Sequence, residues 1–482
     1  MLNFKPIALV GGIVVCAVGF LLFIPMITEI IYKSESWQSY TVPILLYLIV
    51  GGSLVITNRN VELKISTKEA FIITVLSWLL LAILCAVPFI YTQSDLSVVD
   101  ALFESMSGIT TTGATILNNL DELPKGILIW RALLQWLGGI GIVVIALVIL
   151  PFLRIGGMQL FHLEGDDPYD KFLPKISSVV TKIVIVYISL TTLLFILYYL
   201  NQMTLFDALA HSLTTISTGG FSTHNDSFAY FQSNSILNIA IIFMILGSFP
   251  FLVLAQTTFT NISIVLKDNQ IRLFLIILIF AISIIFYLAR TYVDGSTLQK
   301  LTTISFNTIS IISGTGYVSS NFEQWGNYAS VLFLILMFIG GCAGSTTGGL
   351  KIFRFQILFK YIHLHLKKML QPHMVLSAQF NGKKVPESTY ESVMTFFFIY
   401  IITFASSALL LSFSGLDFLT CISAAASAIS NVGPGLGEII GPEGNYSSLD
   451  NYPKLILTLT MFLGRLEMLT ILVLLLPSFW KS

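Results

Sequence analysis

The sequence predicts an all-α polytopic membrane protein, with two N-terminal helices followed by four pseudo-symmetric repeats of helix, re-entrant half-helix with a loop, and helix. Three observations support this fold class. The 482 residues are 55% hydrophobic and only 10% charged, with a mean hydropathy of +0.86. Several apolar stretches are long enough to cross a bilayer, and a short Ser/Thr-Gly motif recurs four times between them. Soluble domains are about one quarter charged, so the sequence excludes a water-soluble fold.

Composition also excludes several classes of function. The 25 basic and 25 acidic residues balance, whereas a nucleic-acid partner requires clustered basic residues. The four cysteines, Cys16, Cys85, Cys342 and Cys421, lie in or beside apolar stretches without CxxC spacing, which argues against a disulfide framework or a metal site. No phosphate-binding glycine loop is recognisable. We therefore expect no enzymatic activity and no cofactor in this chain.

Ten stretches are long and apolar enough to cross about 30 Å of hydrocarbon. The first lacks a small-residue cleavage site, so we interpret it as a retained helix rather than a signal peptide. The predicted spans are residues 6–31, 40–57, 69–92, 127–152, 176–200, 235–264, 271–290, 328–350, 390–413 and 454–478. An even number of spans places both termini on the same side of the membrane.

The distribution of Lys and Arg predicts the orientation. With both termini cytoplasmic, the inner segments carry eighteen basic residues and the outer segments six, and Arg465 lies within the last span. We therefore expect a multi-pass protein of the cytoplasmic (inner) membrane, in contact with the lipid bilayer. The outer segments hold most of the acidic residues, which favours cations at that face.

The short motif that recurs four times defines the repeat. It reads Thr-Thr-Gly113, Ser-Thr-Gly-Gly220, Gly-Thr-Gly316 and Asn-Val-Gly433, each at the end of a half-helix too short to span the membrane. The period is about one hundred residues. The predicted division is 1–66 for the N-terminal helices, then 67–155, 170–266, 270–384 and 385–482 for the four repeats.

Four non-helical loops at membrane depth are tolerated only if they are buried in protein or line a water-filled path. A half-helix that descends from outside directs its partially negative C-terminus at the bilayer centre, which favours a cation. Glycine permits the backbone angles that turn carbonyls inward, and rings of carbonyls select potassium in known filters. The alternative is that these residues are helix-packing positions or extracellular turns.

These four motifs, in this order, resemble the Trk/Ktr/HKT superfamily of potassium transporters, most closely its TrkH branch, over essentially the whole chain. The resemblance implies that the half-helices are pore helices and that the loops form a potassium selectivity filter. It assigns ion binding to Thr111, Thr112, Gly113, Thr218, Gly219, Gly220, Gly314, Thr315, Gly316, Asn431, Val432 and Gly433. Glycine rather than serine at position 113 resembles the potassium-preferring members.

The eighth predicted span contains five glycines within Gly340–Gly349. Glycine destabilises a helix interior by about 1 kcal/mol relative to alanine, and broken membrane helices mark gates and binding sites. The resemblance implies an intramembrane gating loop formed by Gly340, Gly341, Cys342, Ala343, Gly344, Ser345, Thr346, Thr347, Gly348 and Gly349. The alternative is a small-residue face that packs against another helix.

Arg465 lies near the middle of the last predicted span, where an arginine costs about 3 kcal/mol on insertion scales. In the family an arginine here faces the gating loop, so we expect Arg465 to donate hydrogen bonds to the loop carbonyls. A purely structural role, in which Arg465 satisfies buried carbonyls, is equally compatible. Glu467 is about 200° around the helix from Arg465, and the sequence assigns it no role.

The sequence therefore predicts a potassium pore formed by one chain, with potassium as the transported ion. The resemblance implies a homodimer and a cytosolic nucleotide-binding regulatory subunit similar to TrkA, which would contact inner loops 154–175 and 351–384. Two rival functions remain open. One is an alternating-access cation symporter that uses the broken eighth helix as its binding site, and the other is a non-transporting sensor or scaffold.

Overall fold

The computed structural model describes residues 4–61, 66–93, 95–146, 169–257, 263–371, 379–380 and 383–481. Residues 147–152 of the fourth predicted span and 258–262 of the sixth lie outside these ranges, as do most of inner loop 154–175 and residues 372–378 and 381–382 of inner loop 351–384. The described chain is almost entirely helical. The exception is a short antiparallel pairing of Gln379–Phe380 with Lys383–Lys384.

Among the described residues, seven helices are long and apolar enough to cross a membrane. Hydrophobic stretches of this length predict spans because about 20 residues of helix match the hydrocarbon thickness. The seven are Phe4–Ile31 (helices Phe4–Leu21 and Phe23–Ile31), Glu35–Asn58 (mainly helix Gln38–Asn58), Thr67–Thr92, Lys125–Val144, Ser177–Leu200 (within helix Tyr169–Leu200), Asn269–Ala289 and Glu387–Ser412. They confirm a multi-pass membrane protein.

The other three predicted spans are not continuous helices. The sequence prediction is wrong for the sixth and the tenth, whereas it expected the break in the eighth. The sixth divides into Asn234–Gly247 and Phe251–Gln256, followed by Ser263–Lys267. Pro250 stands at this break, where it has no amide hydrogen to continue a helical ladder. The eighth span begins as Asn327–Met337 and ends before the glycine-rich segment.

The tenth predicted span also breaks. Helices Asn451–Arg465 and Leu469–Leu475 meet at an angle of 108°. Between them Glu467 has a φ of 55°, a left-handed conformation that ends a right-handed helix. Two further helices, Ile352–Leu370 and Pro477–Trp480, lie on the predicted inner side.

Four half-helices lie between the outer ends of the long helices, at the positions that the repeat predicts. Each begins at a capping side chain that accepts a hydrogen bond from a backbone amide in the first turn. The half-helices and their caps are Val98–Ile109 with Ser97, Leu205–Ile216 with Thr204, Thr297–Ile312 with Ser296, and Phe418–Ser430 with Asp417. Their C-terminal halves are buried, so the capped N-terminal ends lie toward the surface and the C-terminal ends lie in the interior.

The repeats close into a ring. The helix that follows each half-helix packs against the half-helix of the next repeat, and the last packs against the first. The four contacts are Lys125–Val144 with Leu205–Ile216, Asn234–Gly247 with Thr297–Ile312, Asn327–Met337 with Phe418–Ser430, and Asn451–Arg465 with Val98–Ile109. This cyclic packing brings all four buried half-helix ends to one axis.

Candidate ion filter and intramembrane loop

All four half-helices end in the same left-handed turn. The residues Thr111, Thr218, Gly314 and Asn431 have φ angles of 53°, 50°, 69° and 54°. In each case the next amide donates to the carbonyl five residues earlier at 2.9–3.0 Å, as from Thr112 to Ser107. This is the hydrogen bond of a Schellman motif, which ends a helix by satisfying one of its last carbonyls.

A glycine with positive φ follows two residues later in every repeat. The φ angles of Gly113, Gly220, Gly316 and Gly433 are 85°, 83°, 77° and 106°. The residue between the two has a negative φ in every segment, and this alternation in the sign of φ turns successive carbonyls toward the same side of the chain. We name the twelve residues of these four segments, 111–113, 218–220, 314–316 and 431–433, the filter ring.

Close packing across the ring explains why the third position is glycine. A β-carbon at Gly113 would lie 2.4 Å from the carbonyl oxygen of Gly219, in the next repeat. A β-carbon at Gly220 would lie 1.7 Å from Thr315 O, and one at Gly316 would lie 2.0 Å from Val432 O. At Gly433 the distance would be 2.8 Å, to Thr112 O. Each glycine thus touches the neighbouring repeat, and the cycle closes from the fourth repeat to the first.

Ten of the twelve carbonyls in the filter ring accept no hydrogen bond from any described residue. Carbonyls at buried positions are normally paired, so such a set is unusual, and rings of carbonyls without protein donors are the cation ligands of known potassium filters. One exception is Gly219 O, which accepts from Gln135 Nε2 at 2.6 Å. The other is Gly433 O, which accepts from Ser427 Oγ and Tyr446 Oη, both at 2.9 Å.

The two hydrogen bonds to Gly433 O correct one expectation. The sequence predicts that carbonyls at all four glycines face the ion path, but both lone pairs of Gly433 O have protein donors. The carbonyls at the first position, from Thr111, Thr218, Gly314 and Asn431, form the one level of the ring that has no hydrogen-bonded member among the described residues.

Behind the ring lies a buried ion pair between Arg131 and Glu104. Arg131 Nε and Glu104 Oε1 are 2.7 Å apart, and their side chains are 1% and 0% exposed. Arg131 also donates to Ser222 O at 3.1 Å and lies over the ring of Phe221, 4.1 Å from its centroid. The pair therefore ties the first half-helix to the segment after the second filter motif, a contact between residues too far apart in sequence for periodicity to predict.

The glycine-rich segment forms a non-helical loop with closed ends. Gly340 N donates to Leu350 O at 2.9 Å, and Ile352 N donates to Gly341 O at 3.1 Å. Within the loop, Thr347 Oγ1 accepts from Gly341 N at 3.0 Å. These bonds replace the helical ladder that the glycines disfavour.

The loop contacts both the break in the sixth predicted span and the filter ring. Cys342 N donates to Ser248 O at 3.0 Å, and Thr346 Oγ1 donates to Gly247 O, also at 3.0 Å. Thr218 Oγ1 of the filter ring donates to Thr346 Oγ1 at 3.0 Å. The predicted gate residues 340–349 therefore lie directly against the second filter segment. Their contact with Gly247 and Ser248 has no signal in the sequence apart from the nearby Pro250.

Arg465 does not make the hydrogen bonds that the sequence analysis expects. Its side chain is buried, yet none of its three guanidinium nitrogens has a hydrogen-bond partner among the described residues. Instead it lines a cavity of about 30 Å³ together with loop residues Gly344–Ser345 and Thr347–Gly349. Asn431 of the filter ring borders the same cavity, so Arg465 faces the loop across a space without bonding to it.

Glu467, which the sequence left without a role, pairs with Arg354. Its Oε2 lies 2.6 Å from Arg354 Nη2, and the arginine side chain is 0% exposed. Arg354 also stacks on Phe396, with the guanidinium carbon 3.7 Å from the ring centroid. The break in the last helix turns Glu467 toward the helix that follows the loop, which explains why helical geometry around Arg465 did not predict this partner.

On the predicted outer side, His224 bridges two repeats at the mouth of the ring. Its Nδ1 contacts Asp121 Oδ1, its Nε2 lies 3.4 Å from Asp207 Oδ1, and its ring stacks on Tyr230 at 3.5 Å. Burial lowers the pKa of His224, but hydrogen bonds and charges from Asp207 and Asp121 outweigh burial and raise that pKa above its usual value. The sequence analysis did not single out His224.

The complete geometry has close counterparts among known proteins. The family model described as "TrkH: Cation transport protein" matches residues 37–482. The chain belongs to the TrkH family. This membership confirms the resemblance that the four motifs indicated, and it places the chain among transporters rather than enzymes.

Individual TrkH-family proteins match over their whole length. The Trk system potassium uptake protein TrkI of Halomonas elongata is 36% identical over 481 residues, which cover 100% of this chain and 98% of that protein. The Trk system potassium uptake protein TrkH of Escherichia coli K12 is 34% identical, with 100% of both chains covered. The crystal structure of the potassium transporter TrkH from Vibrio parahaemolyticus has a TM-score of 0.92 and 33% identity, again over 100% of both chains.

Proposed function

We propose that this TrkH-family protein carries potassium into the cell, down its electrochemical gradient, through a single pore formed by its four repeats. The observation that supports the proposal most strongly is the filter ring, in which ten of the twelve carbonyls have no donor among the residues that the structure describes. The membrane potential supplies about 2.3 kcal/mol per charge per 100 mV, so inward flow of a monovalent cation requires no coupled ion. The names of the relatives are consistent with this function.

The first test is electrical recording from the purified full chain in a lipid bilayer. A pore gives discrete unitary currents in potassium solution, with a reversal potential that follows the potassium gradient. An alternating-access symporter gives flux without unitary currents, and a sensor or scaffold gives neither. Either of the last two results would contradict the proposal.

The filter is tested with Gly113→Ser. A side chain at position 113 meets Gly219 O at 2.4 Å and must displace it, so the permeability ratio of sodium to potassium should rise. Gly415→Ser is a matched control, because Gly415 also has a positive φ, 74°, but a β-carbon there meets no atom within 4 Å. The filter assignment fails if Gly113→Ser leaves the reversal potential in mixed salt at the parental value.

We further propose that the loop 340–349 and Arg465 control conduction from the cytosolic side. An uncompensated guanidinium next to the ion path repels cations, because charge interactions are strong where water is scarce. Arg465→Gln should therefore raise potassium flux without a change in ion preference, whereas Arg465→Lys, which keeps the charge, should not. Equal flux in the parent and Arg465→Gln, at equal protein in the membrane, would contradict this role.

Regulation by partners completes the proposal. We propose a homodimer in the cytoplasmic membrane, with both termini cytoplasmic, that binds a cytosolic nucleotide-binding subunit similar to TrkA. The relatives are named as proteins of a Trk system, and the inner helix Ile352–Leu370 carries a basic last turn with Lys367 and Lys368. Light scattering of the purified chain tests the dimer. Co-purification with and without Lys367→Glu and Lys368→Glu tests the regulatory contact.

A further inference from the structure

We infer that Gln135 is a positioning residue that helps to set the ion preference of the filter ring, because it holds the carbonyl of Gly219 in a hydrogen bond. The inference rests on the proposed filter. Gln135 belongs to the first repeat, on helix Lys125–Val144, and is fully buried at 0% exposure. Its side chain reaches the filter segment of the second repeat.

The amide of Gln135 makes two hydrogen bonds that bracket Gly220. Nε2 donates to Gly219 O at 2.6 Å, and Oε1 accepts from Phe221 N at 3.0 Å. A primary amide that satisfies both a carbonyl and an amide hydrogen fixes the backbone between them. Because Gln135 is neutral, it does so without adding charge near the ion path.

The filter sequence in the second repeat is complementary to this side chain. The middle residues of the other three segments, Thr112, Thr315 and Val432, carry side chains, whereas the second segment has Gly219. A β-carbon at Gly219 would lie 2.4 Å from Gln135 Cδ and Oε1. The side chain of Gln135 thus fills the space that a side chain at position 219 would need.

The consequence is an asymmetric middle level in the ring. The carbonyls of Thr112, Thr315 and Val432 accept no hydrogen bond from the described residues, but that of Gly219 accepts one from Gln135 Nε2. A carbonyl that accepts a hydrogen bond from a protein N–H presents a weaker field to an ion and is held in one direction. If it is released, the carbonyl has a stronger field and can approach an ion more closely, and both changes favour the smaller sodium ion.

The test uses the full chain in bilayers under bi-ionic conditions, with potassium on one side and sodium on the other. Gln135→Met keeps the volume and removes both hydrogen bonds, and Gln135→Asn is too short to make both. Each should raise the permeability ratio of sodium to potassium by about three- to tenfold, the effect of one lost hydrogen bond. Trp136→Phe is the matched control, since Trp136 is adjacent on the same helix but donates to Thr191 Oγ1, at 3.1 Å, away from the filter.

Gly113→Ser in the same assay separates the two proposals. A shift with Gly113→Ser but with neither Gln135 variant overturns the inference and leaves the filter intact. No shift with any of the three overturns the filter and the inference together. A purely structural role would lower the amount of folded protein without a change in the permeability ratio, and Gln135→Asn provides the measurement if Gln135→Met does not fold.

Discussion

Asn431 Nδ2 donates a hydrogen bond to Thr112 Oγ1 at 2.9 Å, which joins the fourth filter segment to the first. The same nitrogen donates to Met461 O at 3.0 Å on the last long helix. Thr112 Oγ1 in turn lies 2.7 Å from Thr110 Oγ1. Asn431 thus closes the ring while it occupies a left-handed conformation, with φ of 54°, which asparagine tolerates better than most residues.

Asn431→Ala should both destabilise the protein and weaken its ion preference. The variant loses two buried hydrogen bonds, each worth about 1 kcal/mol, and places alanine in a conformation that costs about 1–2 kcal/mol. A lower thermal unfolding temperature in detergent and a higher sodium-to-potassium permeability ratio are the expected results.

Asn431→Gly separates these two effects. Glycine adopts the left-handed conformation without strain, so the loss of stability should be smaller than in Asn431→Ala. The side-chain bonds are still absent, so the change in permeability should be the same. If Asn431→Gly keeps the parental ratio, the bond to Thr112 does not contribute to selection.

The sequence could predict the four half-helices and the glycine turns that follow them because this pattern is local. Each half-helix, its left-handed end and its glycine occur within about 15 residues, and fourfold recurrence distinguishes them from ordinary turns. The partners of the ring were not predictable in this way. From the first repeat, Gln135 reaches the second segment and Arg131 reaches Ser222, just after it. No periodicity in one sequence encodes contacts between residues that far apart.

The broken spans show a second limit. Hydropathy detects an apolar stretch but not a change of direction within it, so residues 454–478 scored as one span although the chain bends at Glu467. The glycine-rich segment at 340–349 was recognisable because its composition is extreme. The break at Ser248 was not, because a single nearby proline is also compatible with a kinked helix.

Thr346→Val should increase potassium flux without a change in ion preference, if the loop acts as a gate. The hydroxyl of Thr346 bonds to Gly247 O and accepts from Thr218 Oγ1, both at 3.0 Å. Valine has nearly the same shape and removes both bonds, at a cost of about 1–3 kcal/mol to the closed arrangement because buried groups lose their partners. Rubidium uptake into liposomes measures the flux.

Thr346→Ser provides the control for this prediction, because it keeps the hydroxyl and loses only a methyl group. Its flux should stay near the parental level. Increased flux in both variants would indicate that packing, rather than the hydrogen bonds, holds the loop in place.

The pair of Arg354 and Glu467 should show strong coupling in a double-mutant cycle. Removal of one partner from a buried ion pair typically costs about 3–5 kcal/mol. Arg354→Met and Glu467→Gln should therefore each lower the unfolding temperature, while the double variant should be more stable than either single one. Additive losses would show that Arg354 stabilises the protein mainly through its contact with Phe396.

The stability of the outer mouth should depend on pH through His224. Its pKa is raised in the folded protein, so its contribution is fully present below the unfolded value of about 6.5 and is lost as pH rises through the higher folded value. Asp121 has a lowered pKa. Burial opposes this shift, but the hydrogen bond from His224 and its charge outweigh it, so the contribution of Asp121 is lost only in acid, below about pH 4.

The groups that face the imidazole of His224 are Asp121 and Asp207. Tyr230 stacks on its ring, and His211 is close enough to interact electrostatically.

The expected result is an unfolding temperature that falls as pH is raised from about 6 upward, with a smaller slope in His224→Gln. Glutamine keeps a hydrogen-bonding group but does not titrate, so it removes the pH dependence without an empty space beside Tyr230. His363→Gln is the control, because His363 is exposed on the inner helix Ile352–Leu370 and its replacement should leave the slope unchanged. If His224→Gln has the parental slope, another group titrates in this range, and the bridge between Asp121 and Asp207 is held by geometry rather than by charge.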